Sequence, residues 1–246
     1  MLLVQVSDLH LDGGPERRER AARTMAYVNG LRDVAAVLVT GDLADHGRED
    51  EYEQVRELLV SPHPLVHCPG NHDRREPYER VLLGREPTGG PVNSTLELDG
   101  LLVAMCDSSR PGRDDGLLED GTLDWLDSVL AATDQPAVVC FHHPPVVLHS
   151  PLLDAIRLAN ADRLSVFLDN HPQVLAVLVG HAHTPAVSTF AGRPVVVAPA
   201  VVSTLRLPPE GRDDLDYELP PAVALHVFDG GRLTTHFRVV TGSTVG

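Results

Sequence analysis

The chain has 246 residues, of which 43% are hydrophobic and 22% charged, which is the composition of a folded globular protein rather than a disordered one. Its formal net charge of −15 argues against binding to nucleic acid or anionic membranes, because both attract clusters of Lys and Arg. The densest basic stretch, residues 17–23, is interleaved with Glu16 and Glu19 and predicts a solvated helix face.

Six short aliphatic runs are each followed at once by polar residues that can bind metals. These runs are residues 2–6, 34–39, 65–68, 101–106, 137–141 and 174–179. Near-continuous apolar runs of this length predict strands that are buried on both faces. Residues 49–59, 122–132 and 164–168 lie between them and show helical spacing, with Thr122 as a predicted N-cap and Pro172 as a stop.

The last third of the chain predicts further strands at residues 186–190, 195–198, 222–228 and 233–240. Residues 229–232 have the composition of a hairpin turn between the final pair. Alternating strands and helices predict a layered α/β fold, and we expect a single domain over residues 1–246. Residues 108–120 and 205–221 are rich in Pro, Gly and Asp and predict exposed loops, of which the second is a candidate lid or interface loop.

The three cysteines, Cys68, Cys106 and Cys140, lie in apolar runs without the spacing of a disulfide framework. We therefore expect free, buried thiols in a reducing cytoplasm. Residues 1–6 are too short for the apolar region of a signal peptide. No apolar run reaches the roughly 20 residues of a membrane helix, so we expect a cytoplasmic protein with no membrane partner.

The residues that follow the predicted strands are carboxylates, imidazoles and an amide. They are Asp8, His10, Asp42, Asn71, His72, His142, His181 and His183. Because open α/β sheets bind ligands at the carboxyl ends of their strands, we expect these side chains to meet at one edge. Any one of them alone is consistent with an ordinary turn, but five separate strand ends of this kind indicate a shared site.

Oxygen and nitrogen donors without thiolates suit Mn, Fe, Zn or Co, and the sequence does not choose among these metals. A carboxylate can bridge two ions about 3.5–4 Å apart, and such a pair supplies a hydroxide that attacks a phosphate ester. The glycines beside Asp42, Asn71 and His181 are expected to let the backbone turn tightly enough for the side chains to face one point.

Five motifs resemble, in the same order, the blocks of the calcineurin-like metallophosphoesterases. They are Asp8-x-His10, Gly41-Asp42, Gly70-Asn71-His72-Asp73, His142-x-Pro144 and Gly180-His181-x-His183. This resemblance implies a four-layer α/β/β/α sandwich of two mixed sheets flanked by helices. It implies one metal ion on Asp8, His10 and His183. It implies a second ion on Asn71, His142 and His181, with Asp42 as the bridge and His72 as a catalytic residue that contacts the phosphate and assists the leaving group.

Residues 107–112, 142–146 and 190–194 resemble the bacterial class III cyclic-nucleotide phosphodiesterases and the related glycerophosphodiesterases. The resemblance implies a small phosphodiester substrate, with cAMP or another 3′,5′-cyclic nucleotide expected first and a glycerophosphodiester second. It leaves a homodimer open. The alternatives are a phosphomonoesterase, a catalytically silent binding scaffold and a nuclease, which the lack of a basic groove disfavours.

Several residues near these motifs have more than one interpretation. The spacing to Pro144 favours His142 over His143 as the ligand, which leaves His143 to support the pocket. Asp73 either orients His72 or serves an ordinary turn. Asp107 ends a predicted strand and is interpreted as a loop anchor.

Overall fold

A computed structural model describes residues 1–211 and 214–241 of the chain. The strands in these residues are β1 (Leu2–Val6), β2 (Val34–Thr40), β3 (Leu65–Cys68), β4 (Ser94–Leu98), β5 (Leu101–Met105), β6 (Ala137–Cys140), β7 (Val174–Val179), β8 (Ala186–Phe190), β9 (Arg193–Val197), β10 (Thr204–Arg206), β11 (Asp214–Asp216), β12 (Ala222–Asp229) and β13 (Arg232–Val239). They form a first sheet in the order β13-β12-β1-β2-β3, a second in the order β4-β5-β6-β7-β9-β8, and the small pair β10-β11.

The helices lie mostly between the strands. They are α1 (Pro15–Asn29), α2 (Glu49–Leu58), α3 (Arg75–Pro77), α4 (Asp120–Ala131), α5 (Pro151–Asp154) and α6 (Ala161–Asp169), with a π-helical turn at Tyr78–Leu82 and a 3₁₀ turn at Pro208–Glu210. Within the described ranges, no helix combines the length and the apolar composition needed to cross a bilayer.

The first sheet buries both of its faces. Val4 and Val6 of β1 belong to an apolar cluster with Val28 of α1 and Val55 of α2. Leu3, on the opposite face of the same strand, belongs to a cluster that contains residues of both sheets. This alternation is the period of two that a strand imposes on its side chains.

The second sheet is built in the same way. Val139 of β6 lies in a cluster with Leu126 of α4 and Leu164 of α6. Its neighbours Val138 and Cys140 belong instead to the cluster between the sheets. Three apolar clusters therefore separate helix, sheet, sheet and helix, and the predicted α/β/β/α sandwich of two mixed sheets is confirmed.

The carboxyl ends of the parallel strands meet at one edge of this sandwich. Strands β1, β2 and β3 run parallel in the first sheet, and β5, β6 and β7 run parallel in the second. Gln5 Nε2 donates to Thr40 Oγ1 at 2.9 Å and to the backbone carbonyl of Val179 at 3.0 Å. This buried amide links the end of β7 to the first sheet, so residues that follow strands of both sheets come together.

Most predicted elements are confirmed within a residue or two, including the β12–β13 hairpin, and all three cysteines are free and buried. Strand β4 was not predicted. The N-cap prediction for Thr122 is wrong, because α4 begins at Asp120 and Glu119 is its N-cap. Thr122 is buried instead, and its hydroxyl oxygen accepts a hydrogen bond from Asn93 Nδ2 at 3.3 Å.

The predicted solvated face of residues 17–23 is wrong for two of its arginines. Arg17 Nη1 lies 2.7 Å from the carboxylate of Asp45. Arg20 donates to the backbone carbonyls of Val201 at 2.9 Å and Tyr217 at 3.1 Å. These cations are half-buried and hold loops around the carboxyl edge, which their interleaving with glutamates in sequence does not indicate.

Residues 205–221 were predicted as a loop, but they contain most of a small antiparallel hairpin made of β10 and β11. Residues 212 and 213 of this stretch lie outside the described residues. The N–H of Leu205 donates to the carbonyl of His183 at 2.9 Å, so the hairpin begins directly beside a predicted metal ligand. A role for it as a lid or an interface stays a prediction.

Candidate metal centre

The eight side chains predicted to share a site lie together at the carboxyl edge, and Asp42 lies between the two predicted halves. Its Oδ2 is 3.3 Å from His10 Nε2 and 3.2 Å from His142 Nε2. On one side, His183 Nε2 is 3.5 Å from Asp8 Oδ1. The arrangement therefore has one carboxylate that faces two separate groups of donors.

Five of the seven predicted ligands have a backbone in the left-handed region. They are Asp8 (φ 56°), His10 (φ 46°), Asp42 (φ 50°), His181 (φ 68°) and His183 (φ 51°). Non-glycine residues seldom adopt this conformation, which costs on the order of 1–3 kcal/mol each and concentrates at functional sites. Backbone hydrogen bonds fix it, since the N–H of Asp8 donates to the carbonyl of Gly41 at 3.1 Å and that of His10 donates to Asp42 at 2.9 Å.

The glycines of the motifs act mainly by leaving space, which corrects the prediction that each permits a tight turn. Only Gly41 has a positive φ, at 91°. A Cβ atom on Gly70 would overlap the carboxylate of Asp42, and one on Gly180 would overlap Ser7 Oγ. The missing side chains let the strand ends of the two sheets approach closely enough for the donors to meet.

In the first half of the site, the outer nitrogens of two imidazoles are held by partners. His10 Nδ1 donates to the carboxylate of Asp45 at 3.0 Å, and His183 Nδ1 lies 2.7 Å from Ser203 Oγ. The two Nε2 atoms then face each other at 3.1 Å. A neutral imidazole that donates from Nδ1 carries a lone pair on Nε2, so in its neutral form His10 presents an acceptor to the centre.

The second half is built from His142, His181 and Asn71. His142 Nδ1 donates to the backbone carbonyl of Thr40 at 2.7 Å, which leaves its Nε2 to face the centre. That Nε2 lies 3.2 Å from Asn71 Oδ1 and 3.2 Å from His181 Nδ1. Three donor atoms of different strand ends therefore meet around one point.

The pKa values of the carboxylates and imidazoles in the centre are shifted in different directions. Burial alone would lower the pKa of His142, but the adjacent carboxylates of Asp42 and Asp8 raise it to about 9. Burial would raise the pKa of Asp42, and the neighbouring His142 and His10 outweigh it and keep this pKa well below the usual value. Burial raises the pKa of Asp8 to about 6, and burial together with His142 lowers the pKa of His181 to about 3.

These residues fit metal ions. Burying so many carboxylates and imidazoles is costly unless each is paired, and their donor atoms crowd together around the centre. His181 Nε2 is buried and has no hydrogen-bond partner among the described residues. Donor atoms of Asp8, His10, Asp42 and His183 all lie within 4.8 Å of one another, as do those of His142, His143 and His181. Such oxygen and nitrogen sets suit first-row transition metals.

His143 belongs to the second of these groups by distance, but both of its nitrogens are engaged elsewhere. Nδ1 lies 2.8 Å from Ser108 Oγ, and Nε2 donates to the carbonyl of Asp114 at 3.1 Å. Ser108 Oγ also accepts the N–H of His142 at 3.2 Å. His143 is therefore a support for the loop after β5, and this geometry favours His142 as the ligand.

His72 lies at the rim with its ring edge-on to His10, their centroids 4.5 Å apart. Its Nδ1 donates to the carbonyl of Asp45 at 2.7 Å, and its backbone N–H donates to Asp42 Oδ1 at 2.9 Å. Its side chain is 40% exposed, in contrast to the buried ligands. This placement leaves Nε2 for a molecule in the cleft.

Asp73 acts as a turn carboxylate and does not orient His72. It accepts the N–H groups of Gly70 at 2.9 Å and Leu43 at 3.1 Å, and the hydroxyl of Tyr52 at 3.0 Å. It thereby ties the loop after β3 to the loop after β2. Asp107 is a loop anchor as predicted, since it receives Arg75 Nε at 2.7 Å and the N–H of Val92 at 3.0 Å.

Two partners of the imidazoles were missed by sequence reasoning, namely Asp45 and Ser203. Asp45 follows the Gly-Asp motif by three residues, and Ser203 lies in the Val-Val-Ser run after β9. Neither position belongs to a motif that carries chemistry. A metal-bound His usually has a hydrogen-bond partner on its other nitrogen, and this rule is the signal that could have pointed to them.

A cleft of about 1000 Å³ opens beside Asn71 and His72, and we call it the arginine cleft. Its arginines are Arg48, Arg74, Arg75, Arg80 and Arg113. All of these except Arg74 pair with carboxylates within the described residues. The cleft also contains acidic side chains, so its charge is mixed rather than uniformly positive.

Comparison with known proteins agrees with this geometry. Residues 1–185 match the family model described as calcineurin-like phosphoesterase. A probable cyclic nucleotide phosphodiesterase of Rhodococcus erythropolis is 36% identical over 217 residues, which cover 82% of this chain and 71% of the relative. A glycerophosphodiester phosphodiesterase of Enterobacter lignolyticus is 30% identical over 240 residues, which cover 92% of this chain and 86% of the relative.

Among solved structures, a dimetal phosphatase from Danio rerio has the same fold, with a TM-score of 0.74 at 16% identity. The match covers 98% of this chain and 96% of the other. The family model spans all five motifs whose side chains meet at the carboxyl edge. The chain therefore belongs to the calcineurin-like phosphoesterase family.

Proposed function

We propose that the chain hydrolyses small phosphodiesters with two metal ions bound side by side, and that 3′,5′-cyclic nucleotides such as cAMP are its first substrates. The chain is a metallophosphoesterase by family, and relatives named as phosphodiesterases support the diester class. The observation that carries the two-ion proposal is the position of Asp42 Oδ2, within 3.3 Å of His10 Nε2 and 3.2 Å of His142 Nε2.

In this proposal Asp8, His10 and His183 form a first half-site, and Asn71, His142 and His181 form a second, with Asp42 shared between them. Metal ions in these half-sites would lower the pKa of a water molecule and neutralise the charge that grows on the phosphoryl oxygens. Mn, Fe, Zn and Co all suit such donors, so these residues do not discriminate among the four metals.

His72, which is hydrogen-bonded to the backbone carbonyl of Asp45, is proposed as the catalytic side chain. Because the Asp45 carbonyl accepts from Nδ1, the ring is fixed with Nε2 towards the substrate. A protonated His72 can donate from Nε2 to the oxygen of the leaving group, which general-acid catalysis requires to be within hydrogen-bond reach. The backbone N–H of His72 donates to Asp42 Oδ1, and this hydrogen bond holds the residue beside the centre.

A glycerophosphodiester is the second candidate substrate. The relative from Enterobacter lignolyticus that carries this activity in its name covers more of this chain than the Rhodococcus relative does, 92% against 82%. The identity is lower, 30% against 36%, so sequence similarity alone does not separate the two substrate classes. The shape and polarity of the cavities beside the centre are needed for that.

Replacing the shared carboxylate tests the mechanism. Asp42→Asn should reduce hydrolysis of bis(p-nitrophenyl) phosphate by at least about 100-fold, beyond the ~10–100-fold that loss of an outer partner of a ligand costs. Asp134→Asn is the matched control, because Asp134 is exposed and remote from the motifs. Unchanged turnover by Asp42→Asn, with normal metal content, would remove the mechanism.

A panel of cyclic nucleotides, glycerophosphodiesters and p-nitrophenyl phosphate, assayed with Mn and with Zn, tests the substrate class. Diesterase turnover above monoesterase turnover is expected. About two ions per chain after metal loading fits the proposed enzyme, whereas no bound metal and no turnover would indicate a binding scaffold.

A further inference from the structure

A second cavity, of about 180 Å³, lies over the predicted ligands on the side of the β10–β11 hairpin. Predicted ligands form part of its lining, and much of its wall is apolar. Leu152 and Ile156 come from α5 and the residues after it, and Leu215 and Tyr217 come from the hairpin and the residue that follows it. We call this cavity the hairpin pocket.

Three apolar side chains of this wall are open to solvent. Leu152 is 50% exposed, Leu215 37% and Tyr217 53%. Exposed apolar groups that gather beside a polar centre mark a binding surface rather than a core. The cavity is smaller than the ~300–1,000 Å³ of pockets that enclose whole drug-sized ligands, so it suits one ring-sized part of a substrate.

The backbone of Tyr217 is held firmly while its ring is left free. Arg20 on α1 donates from Nη1 to the carbonyl of Tyr217 at 3.1 Å and from Nη2 to that of Leu219 at 2.6 Å. The carboxylate of Asp216 accepts the N–H of Leu219 at 3.2 Å and pairs with Arg206. In the part of the chain that the structure describes, the Tyr217 hydroxyl has no hydrogen-bond partner. A fixed aromatic face binds at low cost in conformational entropy.

We infer that the hairpin pocket binds the planar heteroaromatic base of a nucleotide substrate, with Tyr217 as the stacking residue. The inference rests on the proposed phosphodiesterase function and selects nucleotides within it. Stacking on an aromatic ring tolerates any base, because each base has a π face. Leu152, Ile156 and Leu215 would complete an apolar slot around that face.

A glycerophosphodiester fits this wall less well. Its hydroxyl groups would lose hydrogen bonds to water against aliphatic side chains, and such loss is costly. A quaternary ammonium headgroup is attracted to an aromatic face, but it also gains from a free carboxylate nearby. Two carboxylates line the pocket, and both are already engaged. Asp45 is paired with His10 and Arg17, and Asp42 lies against His10 and His142.

Direct binding separates the base from the phosphate. The probes are adenosine 5′-monophosphate, the product that opening of cAMP would give, and ribose 5-phosphate, which lacks the base. Both are titrated calorimetrically into metal-loaded protein. The wild type should bind the nucleotide about 10-fold or more tightly than the sugar phosphate, the scale of one base–aromatic stack.

Tyr217→Ala should bring the two affinities within about 2-fold of each other by weakening the nucleotide alone, since stacking carries the difference. Tyr217→Phe should keep the wild-type ratio. Leu219→Ala is the matched control, because Leu219 is 42% exposed in the same segment but does not line the pocket. In turnover of cAMP, Tyr217→Ala should raise KM more than it lowers kcat.

Equal binding of both probes by the wild type, or equal weakening of both by Tyr217→Ala, would overturn the base site. A loss of glycerophosphocholine turnover in Tyr217→Ala, with nucleotide binding intact, would also overturn it and assign the pocket to a cationic headgroup. Failure of the proposed function is seen separately, as wild-type protein that hydrolyses no diester in the panel.

Discussion

The two proposed half-sites share Asp42 but differ in charge. The first contains Asp8 in addition to Asp42, whereas the second has the neutral amide of Asn71 in the corresponding place. His10 in the first half-site donates to a carboxylate, that of Asp45, while His142 in the second donates to a backbone carbonyl. A carboxylate on the far nitrogen makes an imidazole a stronger ligand, so the first half-site should bind a cation more tightly.

The two half-sites also differ in backbone conformation. All three proposed ligands of the first half-site, Asp8, His10 and His183, have a positive φ, whereas only His181 does among those proposed for the second. Strain of this kind persists where the surrounding structure holds it in place. The donors of the two half-sites are similar in type, but the fold constrains the backbone of the first more tightly and gives it more negative charge.

The largest expected effect follows from emptying the weaker half. On titration with a chelator such as dipicolinate, the metal content should fall from about two ions per chain to about one before the second ion leaves. Diesterase activity should fall by more than about 100-fold in that first step, because both ions act on the phosphoryl group. Metal content by mass spectrometry, measured beside turnover, checks the order.

Asn71→Ala makes the same separation genetically. The variant should keep about one ion per chain at metal concentrations that saturate the wild type. Asn170→Ala is a suitable control, since Asn170 is exposed and, among the described residues, its side chain bonds only to the carbonyl of Val166. Loss of both ions in one step, in the variant or on chelation, would contradict the difference between the half-sites.

A smaller effect is expected from removing the charge behind His10. The pKa of Asp45 is lowered, since hydrogen bonds from His10 and Arg17 outweigh its partial burial, so this group is ionised near neutrality. Asp45→Asn keeps the shape but not the charge and should weaken metal binding by about 10–100-fold. Competition with a fluorescent chelator measures the metal affinity of the variant and of the wild type.

Asp12→Asn is the matched control for that variant. Asp12 Oδ2 also pairs with Arg17, at 3.3 Å, but it has no hydrogen bond or ion pair with His10 among the described residues. Equal effects of the two substitutions would mean that Arg17, rather than the carboxylate on His10, determines the affinity. The proposed role of Asp45 would then be wrong.

Much of the fold could be predicted because buried parallel strands are apolar on both faces. Val4 and Leu3, for example, are apolar because they face different clusters. The gathering of the eight side chains at one edge followed from the same argument, since parallel strands end at a common edge.

What the sequence did not indicate depends on contacts between distant residues. Asp45 meets His10 across 35 residues of chain, and Arg20 meets Tyr217 across 197. The hairpin strands are three residues each and lie in a stretch whose composition is typical of a loop. Arg20 holds the segments on either side of them, at Val201 and Tyr217, and no local pattern reveals this. The left-handed backbone of the ligands is likewise imposed by neighbouring loops.

The smallest expected effect concerns Ser203, the partner of His183 in the first half-site. A neutral hydroxyl forms a weaker hydrogen bond than an ionised carboxylate, so Ser203→Ala should cost about 10-fold in metal affinity, at the low end for such partners. The same chelator competition should rank the wild type above Ser203→Ala, and Ser203→Ala above Asp45→Asn. The reverse order would show that the position of the hairpin, which begins at the residue after this serine, governs the first half-site more than the charge behind His10 does.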